Sequence, residues 1–235
     1  VPIYGNTIYL TSPEAYAHLE GETVSIVLED NRRVTVPFHH VGSIVCLETV
    51  KLSAPLQVSC AERGITITWL NWSGRFGARV EGPTTGNVLL RLAQYDAFRD
   101  TARTLEMARQ FVLGKLRNSR VAVLRVAREN PVAEEAGRLE ACASRIRRAS
   151  ESAKLCRQLD TLRGHEGEAA AEYFSTFGLH LRTLARSDFR FTKRQRRPSP
   201  DPMNACLSFA YALLTSDCKG ALESVGLDPQ VGFLH

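Results

Sequence analysis

Long apolar runs are missing from this sequence of 235 residues. No stretch approaches the roughly 20 apolar residues that a membrane-spanning helix needs. The front of the chain also lacks the charged region, apolar region and cleavage site of a secretory signal. A cytoplasmic protein with no membrane contact is therefore expected. The six cysteines, Cys46, Cys60, Cys142, Cys156, Cys206 and Cys218, never come closer than 12 residues to one another. That excludes CxxC pairs and zinc ribbons and leaves free, buried thiols as the expectation. There is no phosphate-binding P-loop, no GxGxxG following a strand, no HExxH and no GxSxG. P-loop hydrolysis and serine-hydrolase chemistry are disfavoured accordingly. Internal repeats and low-complexity tracts are absent as well. Hydrophobic residues at 44% and charged residues at 23% exclude a wholly disordered chain and leave a globular one.

What is present is unevenly distributed. Residues 1–80 carry one net negative charge, so the net +5 of the chain requires six net positive charges on the remainder. Seven cationic residues of that remainder fall between Arg182 and Arg197: Arg182, Arg186, Arg190, Lys193, Arg194, Arg196 and Arg197, opposed only by Asp188. Such a block is either a solvated loop or a surface that attracts a phosphate backbone through counterion release.

Texture divides the chain in the same sense. Residues 6–10 are β-prone after a Gly-Asn turn signal. Val24–Leu28 and Val34–Val36 flank Glu29-Asp30-Asn31-Arg32, which reads as a hairpin turn. Ser43–Leu47 is a short apolar run. Ala54–Arg63 has helical spacing before Gly64, a C-cap signal. Ile65–Leu70 alternates, and Phe76–Val80 can pair with it across Ser73-Gly74. Residues 81–87 contain Gly82, Pro83 and Gly86 and read as a linker. Beyond it helical periodicity dominates, with an apolar stripe from Leu89 to Leu116, a break at Pro131, and helical runs over 133–160, 169–177 and 202–215, then a short piece at 220–225. Asp201 is placed to N-cap the run that Pro202 opens. The pattern predicts an α+β protein: a small β-rich domain over residues 1–80, then a larger all-α domain over 88–235.

Two segments can carry chemistry. In Arg163-Gly164-His165-Glu166-Gly167 the carboxylate lies between glycines at a predicted helix start. It reads either as an acid placed to suit the helix dipole or as a group whose bare neighbours let a ligand approach. In Gly226-Leu227-Asp228-Pro229 through Gly232-Phe233-Leu234-His235 a turn leads into an apolar segment ending in histidine, which is structural unless the fold brings it to a carboxylate. Asn204 reads as bracing its helix start, Tyr173 and Phe174 as core rings, and His165 as a neighbour of Glu166. His39 and His40 are assigned no chemistry.

These segments, together with Arg197-Pro198-Ser199-Pro200-Asp201-Pro202-Met203-Asn204-Ala205-Cys206-Leu207-Ser208, resemble in order and spacing the CRISPR-associated adaptation integrases. That endonuclease family inserts new spacers into CRISPR arrays. Asn6–Leu10, Cys60–Ile65, Gly74-Arg75-Phe76 and Gly86–Arg91 agree, most closely with the subtype I-C branch. The resemblance implies a metal-dependent DNA endonuclease and integrase. In it, Glu166 and His235 would be the catalytic ligands of Mg²⁺ or Mn²⁺, and a DNA 3′-hydroxyl would attack a repeat phosphodiester. It also implies a homodimer and a small second CRISPR adaptation protein as partner. The basic residues Arg190, Lys193, Arg194, Arg196 and Arg197 then become candidates for DNA phosphate contacts. The family carries a further carboxylate shortly after the histidine. The sequence stops at His235, so a catalytic domain cut short at its C terminus is expected. The alternative is a non-catalytic DNA- or partner-binding fragment lacking that third ligand.

Overall fold

The computed structural model describes residues 3–4, 6–47, 49–72, 74–82, 87–181, 188–195 and 199–235. Nine strands and six α-helices are found among them: β1 (Ile3–Tyr4), β2 (Thr7–Leu10), β3 (Tyr16–Glu20), β4 (Thr23–Val27), β5 (Arg33–Pro37), β6 (Ser43–Leu47), β7 (Lys51–Leu52), α1 (Ala54–Glu62), β8 (Thr66–Leu70), β9 (Phe76–Val80), α2 (Val88–Arg99), α3 (Thr101–Glu129), α4 (Ala133–Leu155), α5 (Leu159–Ser175) and α6 (Pro202–Ser224). Strands first and helices after give the expected α+β class.

Contacts divide the chain into two compact units. One is Val1–Arg91 with Ser208–Pro229, the other Leu92–Leu207 with Gln230–His235. The sequence pattern assigns everything after residue 88 to one helical domain. The contacts instead give residues 208–229 to the sheets.

In the first unit, a five-stranded sheet has the order β1-β2-β6-β8-β9, and a four-stranded sheet the order β5-β4-β3-β7. The β4–β5 hairpin forms where the turn signal lies. Leu28 and Arg32 close it, with the Leu28 amide donating to the Arg32 carbonyl at 2.9 Å, and Asn31 takes a positive φ of 61°. β6 runs parallel to both β2 and β8. Its Ile44, Val45 and Cys46 are buried in succession, as a strand covered on both faces requires. One cover is α1, which packs against β8 and β3. Ser53 caps its start, accepting from the Leu56 amide at 3.3 Å. At its end Gly64 takes φ +69° while Ile65 and Gly64 donate to the Cys60 and Ala61 carbonyls at 2.8 and 3.2 Å, a Schellman closure.

The second half of α6 is the other cover. Thr66 and Thr68 share one face of β8. Thr68 and Ser216 share a buried 2.9 Å hydrogen bond, and a Cβ built on Gly220 would lie 3.3 Å from the Thr66 hydroxyl. Gly74, at φ +73°, turns β8 into β9 so closely under Phe209 that a Cβ there would fall 2.5 Å from its ring. Arg79 of β9 pairs with Glu223 of α6 and with Glu81 at 2.7 Å. These polar and close contacts, invisible in an apolar-periodicity reading, attach residues 208–224 to the sheet.

The second unit is built on α3, α4 and α5. Asp100 ends α2 and caps α3, its Oδ1 accepting from the Ala102 and Arg103 amides at 2.9 and 3.1 Å. Ala108, Val112, Leu116, Val123 and Ala127 form the buried stripe of α3. It meets Leu139, Cys142, Ile146 and Ala153 of α4, with Leu162 and Ala169 of α5 completing the core. Alanines in that contact let the helices approach closely. Cys46, Cys60, Cys142 and Cys156 are buried free thiols as expected, whereas Cys206 and Cys218 are exposed. Both lie on α6, on positions that no core stripe covers. The Leu89-to-Leu116 stripe is also only half buried. Leu89, Leu92 and Phe98 of α2 stand at 67%, 53% and 50% exposure. No helix among the described residues is long and apolar enough to cross a membrane.

The polar attachment of α6 is measurable. Ser216→Ala strands a buried Thr68 hydroxyl and should cost about 1–3 kcal/mol, while Thr68→Val with Ser216→Ala should recover most of it, read by denaturant unfolding. Equal costs for the single and double variants would show that the pair does not hold α6. Burial and the neighbouring Glu223 carboxyl raise the Glu81 pKa, against the lowering pull of Arg79. The folded chain thus keeps that proton to a higher pH than the unfolded one. The stability it contributes is complete below the ordinary carboxylate range and is lost as pH rises through the raised value. Glu81→Gln should accordingly remove a decline in stability that the wild type shows from about pH 4 upward. Parallel stability curves for the two proteins would contradict this.

Candidate functional site

Leu162 and Ala169, two turns apart and buried, fix α5 against α3 and α4. The sequence pattern starts this helix near residue 169, with Glu166 at its N-terminus. The helix in fact begins at Leu159, so Glu166 lies mid-helix, beyond the first turn where a dipole acts on an acid. Gly164 and Gly167 are then interior helical glycines, each costing roughly 1 kcal/mol against alanine. A Cβ at either would meet nothing within 4 Å among the described residues. Packing within the chain does not require them to be small. Gly167 leaves the helix bare beside Glu166, whereas Gly164, two residues earlier, faces away from it.

Arg163, Glu166, Gly167 and Ala170 follow the i, i+3, i+4, i+7 spacing of one helix face. Arg163 brings the second motif to that face. Its Nε donates to the Leu234 carbonyl at 2.6 Å, and its Nη1 pairs with Asp160 at 2.6 Å. Leu234 packs against the helical core, and the Phe233 ring stands edge-on to Phe98 with centroids 6.4 Å apart. The Gly-Phe-Leu-His segment, 71 residues from Arg163 along the chain at Leu234, is thereby fastened one turn before Glu166. His235 itself is exposed.

The Glu166 side chain is only 14% exposed, and its carboxylate pairs with the ammonium of Lys115 on α3, which is 51% exposed. His165 faces Glu168, with Nδ1 3.8 Å from the carboxylate. The donor held on this face is thus the Glu166 carboxylate, and the main chain of Leu234, next to His235, is brought to the same face. A carboxylate oxygen suits Mg²⁺ or Mn²⁺, with other positions left to water or phosphate. Among the described residues no group of three or more His, Cys, Asp or Glu side chains is placed to hold a metal.

The basic segment is anchored rather than loose where it is described. Phe191 lies 5.0 Å from Phe177 and 6.2 Å from Phe174 between ring centroids. Tyr173 joins the same aromatic group, so Tyr173 and Phe174 are packing rings as expected. Burial pushes His180, stacked on Phe177, below the usual histidine pKa. At the other end Asn204, fully buried, binds in several directions. Its Oδ1 accepts from Arg194 Nη1 and the Gln195 amide, both at 2.9 Å, and its Nδ2 donates to the Lys193 carbonyl at 2.9 Å and to Asp201 at 2.7 Å. Asp201 caps α6 by accepting from the Asn204 amide at 2.7 Å. Asn204 braces its helix start, as the sequence suggests, and ties it to residues 193–195.

This divides the candidate DNA contacts. Arg190 and Lys193 are exposed and make no ion pair among the described residues. Arg194 is half-buried and bound to Asn204. Arg196 and Arg197 lie outside the described residues. Two residues of the site were not singled out from sequence. Lys115 gives no local signal, being one of many cations on an amphipathic helix. Arg163 stands inside its motif, but its bond to Leu234 is a tertiary contact.

Comparison with known proteins gives this geometry a family. The profile described as "CRISPR associated protein Cas1" matches residues 8–235. A protein of Moorella thermoacetica named CRISPR-associated endonuclease Cas1 1 is 45% identical over 230 residues, covering 98% of this chain and 67% of that protein. Among solved structures, a casposase bound to its integration product superposes with a TM-score of 0.76 at 22% identity, over 98% of this chain and 64% of that one. A chain of a Cas6-RT-Cas1–Cas2 complex does so with a TM-score of 0.74 at 21% identity, over all of this chain (100%) and 25% of that one. The structural likenesses speak for the fold alone, but the profile and the sequence identity settle the lineage: this chain belongs to the Cas1 family.

Proposed function

We propose that the chain is a metal-dependent DNA endonuclease and integrase of CRISPR adaptation, with Glu166 and His235 as its metal-ligating catalytic residues. The observation that carries this reading is the bare, glycine-flanked face of α5, where a nearly buried carboxylate and the histidine-terminated segment are fastened together by Arg163. The name of the Moorella relative and the casposase likeness support it.

In the reaction a DNA 3′-hydroxyl oxygen bonds to a repeat phosphorus as the existing P–O bond breaks. The attacking hydroxyl loses its proton and the leaving oxygen gains one. Bond number is unchanged, so no energy-carrying cofactor is needed, and water in place of the hydroxyl gives cleavage. A bound Mg²⁺ or Mn²⁺ supplies Lewis acidity toward the phosphodiester and its leaving oxygen. Glu166 supplies the anionic donor, held in place by the helix that Leu162 and Ala169 anchor. Arg163 limits the reach of His235 by fixing the carbonyl just before it. Gly167 leaves room for a phosphate backbone beside the carboxylate.

DNA is the proposed substrate, met by Arg190 and Lys193 on a segment that the Phe191 and Asn204 contacts hold. Phe174 is eight residues beyond Glu166 on α5, so this segment is anchored roughly 12 Å along the helix axis from the carboxylate. A homodimer is proposed on the exposed apolar side chains of α2. The Cas1–Cas2 likeness supports a small second adaptation protein as partner, and the cytoplasm is the proposed compartment. The second reading, a DNA- or partner-binding module without catalysis, is favoured by the lack of a third metal-ligating side chain among the described residues.

Glu166→Gln decides between the two. It should lower Mn²⁺-dependent DNA cleavage by at least about 10²-fold, the scale of losing a metal ligand, with DNA affinity within twofold of wild type. No cleavage in either protein supports the binding module, whereas unchanged cleavage removes Glu166 from the catalytic site. Arg190→Glu with Lys193→Glu should weaken binding to every DNA sequence alike and reduce the log–log salt slope by about 1 per residue. An unaltered slope removes both from the phosphate path.

A further inference from the structure

We propose that Lys115 is a built-in counter-ion of Glu166: its ammonium occupies the carboxylate when no divalent cation is bound, and a metal must displace it to bind. The inference rests on the reading of Glu166 as a metal ligand and adds a competitor for that ligand within the chain. Glu166 is nearly withdrawn from water, and Lys115 is its one hydrogen-bonding or ionic partner among the described residues. A carboxylate in that position needs a cation at all times, because leaving it charged, buried and unpaired is the costly state. Two cations can serve it in turn.

The two sides of the pair are built differently. Glu166 is fixed on α5, and the Lys115 backbone is fixed on α3 between the buried Val112 and Leu116. The lysine side chain, by contrast, is half exposed. Its flexible four-carbon stem can move its charge into solvent without disturbing the helix, which a rigid guanidinium fork would do less readily. Lys115 is a positioning residue in this role. It holds the Glu166 carboxylate in its mid-helix rotamer and makes the metal-free site electrically complete. A divalent cation then binds by exchange for the ammonium, so its affinity is lower than the donor set alone would give.

Mn²⁺ binding to the metal-free protein, followed by the loss of the free-ion electron spin resonance signal, tests this without any catalytic readout. Lys115→Met should bind Mn²⁺ about tenfold more tightly than wild type, the size of a one-unit electrostatic shift. Its metal-free form should melt several degrees lower, with Mn²⁺ restoring the loss. Lys115→Arg keeps the charge and should match the wild type in melting, while binding Mn²⁺ no more tightly than wild type. Lys115→Gln should repeat the methionine result if that variant folds poorly. Equal or weaker Mn²⁺ binding by both neutral variants, with wild-type binding still dependent on Glu166, overturns the counter-ion role alone. If Glu166→Gln binds Mn²⁺ as well as wild type does, Glu166 is no metal ligand and both readings fall together.

Discussion

A carboxylate taken out of water demands a positive charge, and that demand organises the helical unit of this protein. Packing of α3, α4 and α5 through alanine, leucine and isoleucine holds Glu166 at the edge of a core. Once there, the charge has to be met from a neighbouring element, and Lys115 meets it from α3. The same face recruits Arg163, whose guanidinium satisfies Asp160 and then reaches the Leu234 carbonyl. Among these contacts the exposed Arg163–Asp160 pair adds little on its own, since exposed ion pairs contribute about 0–1 kcal/mol. Their effect is positional, because they bring two chain segments far apart in sequence to one helix face.

The sheet unit shows the complementary constraint. A strand paired in parallel on both sides needs cover on both faces. The apolar cover comes from α1. The opposite face of β8 carries Thr66 and Thr68, so its cover has to be polar or small, and α6 supplies Ser216 and Gly220. Helix α6 has mean apolar character but no strong one-sided stripe, and only a tertiary view explains why. Arg79, nearly buried between Glu81 and Glu223, closes the same edge with charge rather than hydrocarbon.

Much of this was legible in the sequence where local chemistry decides. The Glu29–Arg32 turn, the Asp201 cap, the Gly64 stop and the Pro131 break are set by backbone propensity, and they stand where their signals put them. The failures share a cause. Tyr16–Glu20 has poor β-propensity at Ala17 and Glu20 and becomes a strand because β4 and β7 pair with it on either side. Gly164 and Gly167 read as flanking a helix start, yet α5 runs through both because Leu162 and Ala169 are buried. Of the candidate site, the Glu166 and His235 motifs were visible as residue types, but their meeting depends on Arg163. Lys115 was invisible because an ion pair across 51 residues leaves no local pattern. Arg194 counted as one more cation until Asn204 claimed it.

That division among the arginines bears on what kind of DNA contact the proposed enzyme can make. An integrase that accepts incoming DNA of any sequence gains nothing from reading base edges and much from gripping phosphates, which every sequence offers alike. Such a grip works best when the backbone beneath the cations is held and the side chains are not. Residues 188–195 have that construction. Phe191 is seated among the rings of Phe174 and Phe177, and the Lys193 carbonyl and Gln195 amide are bound by Asn204. Arg190, just before the first anchor, and Lys193, at the second, keep exposed side chains. The cost of ordering the loop is met during folding, so binding DNA has only to immobilise side chains. Arg194 belongs to the anchor and not to the grip: its charge is spent on holding Asn204, which is why a count of basic residues overstates the phosphate contacts this segment offers.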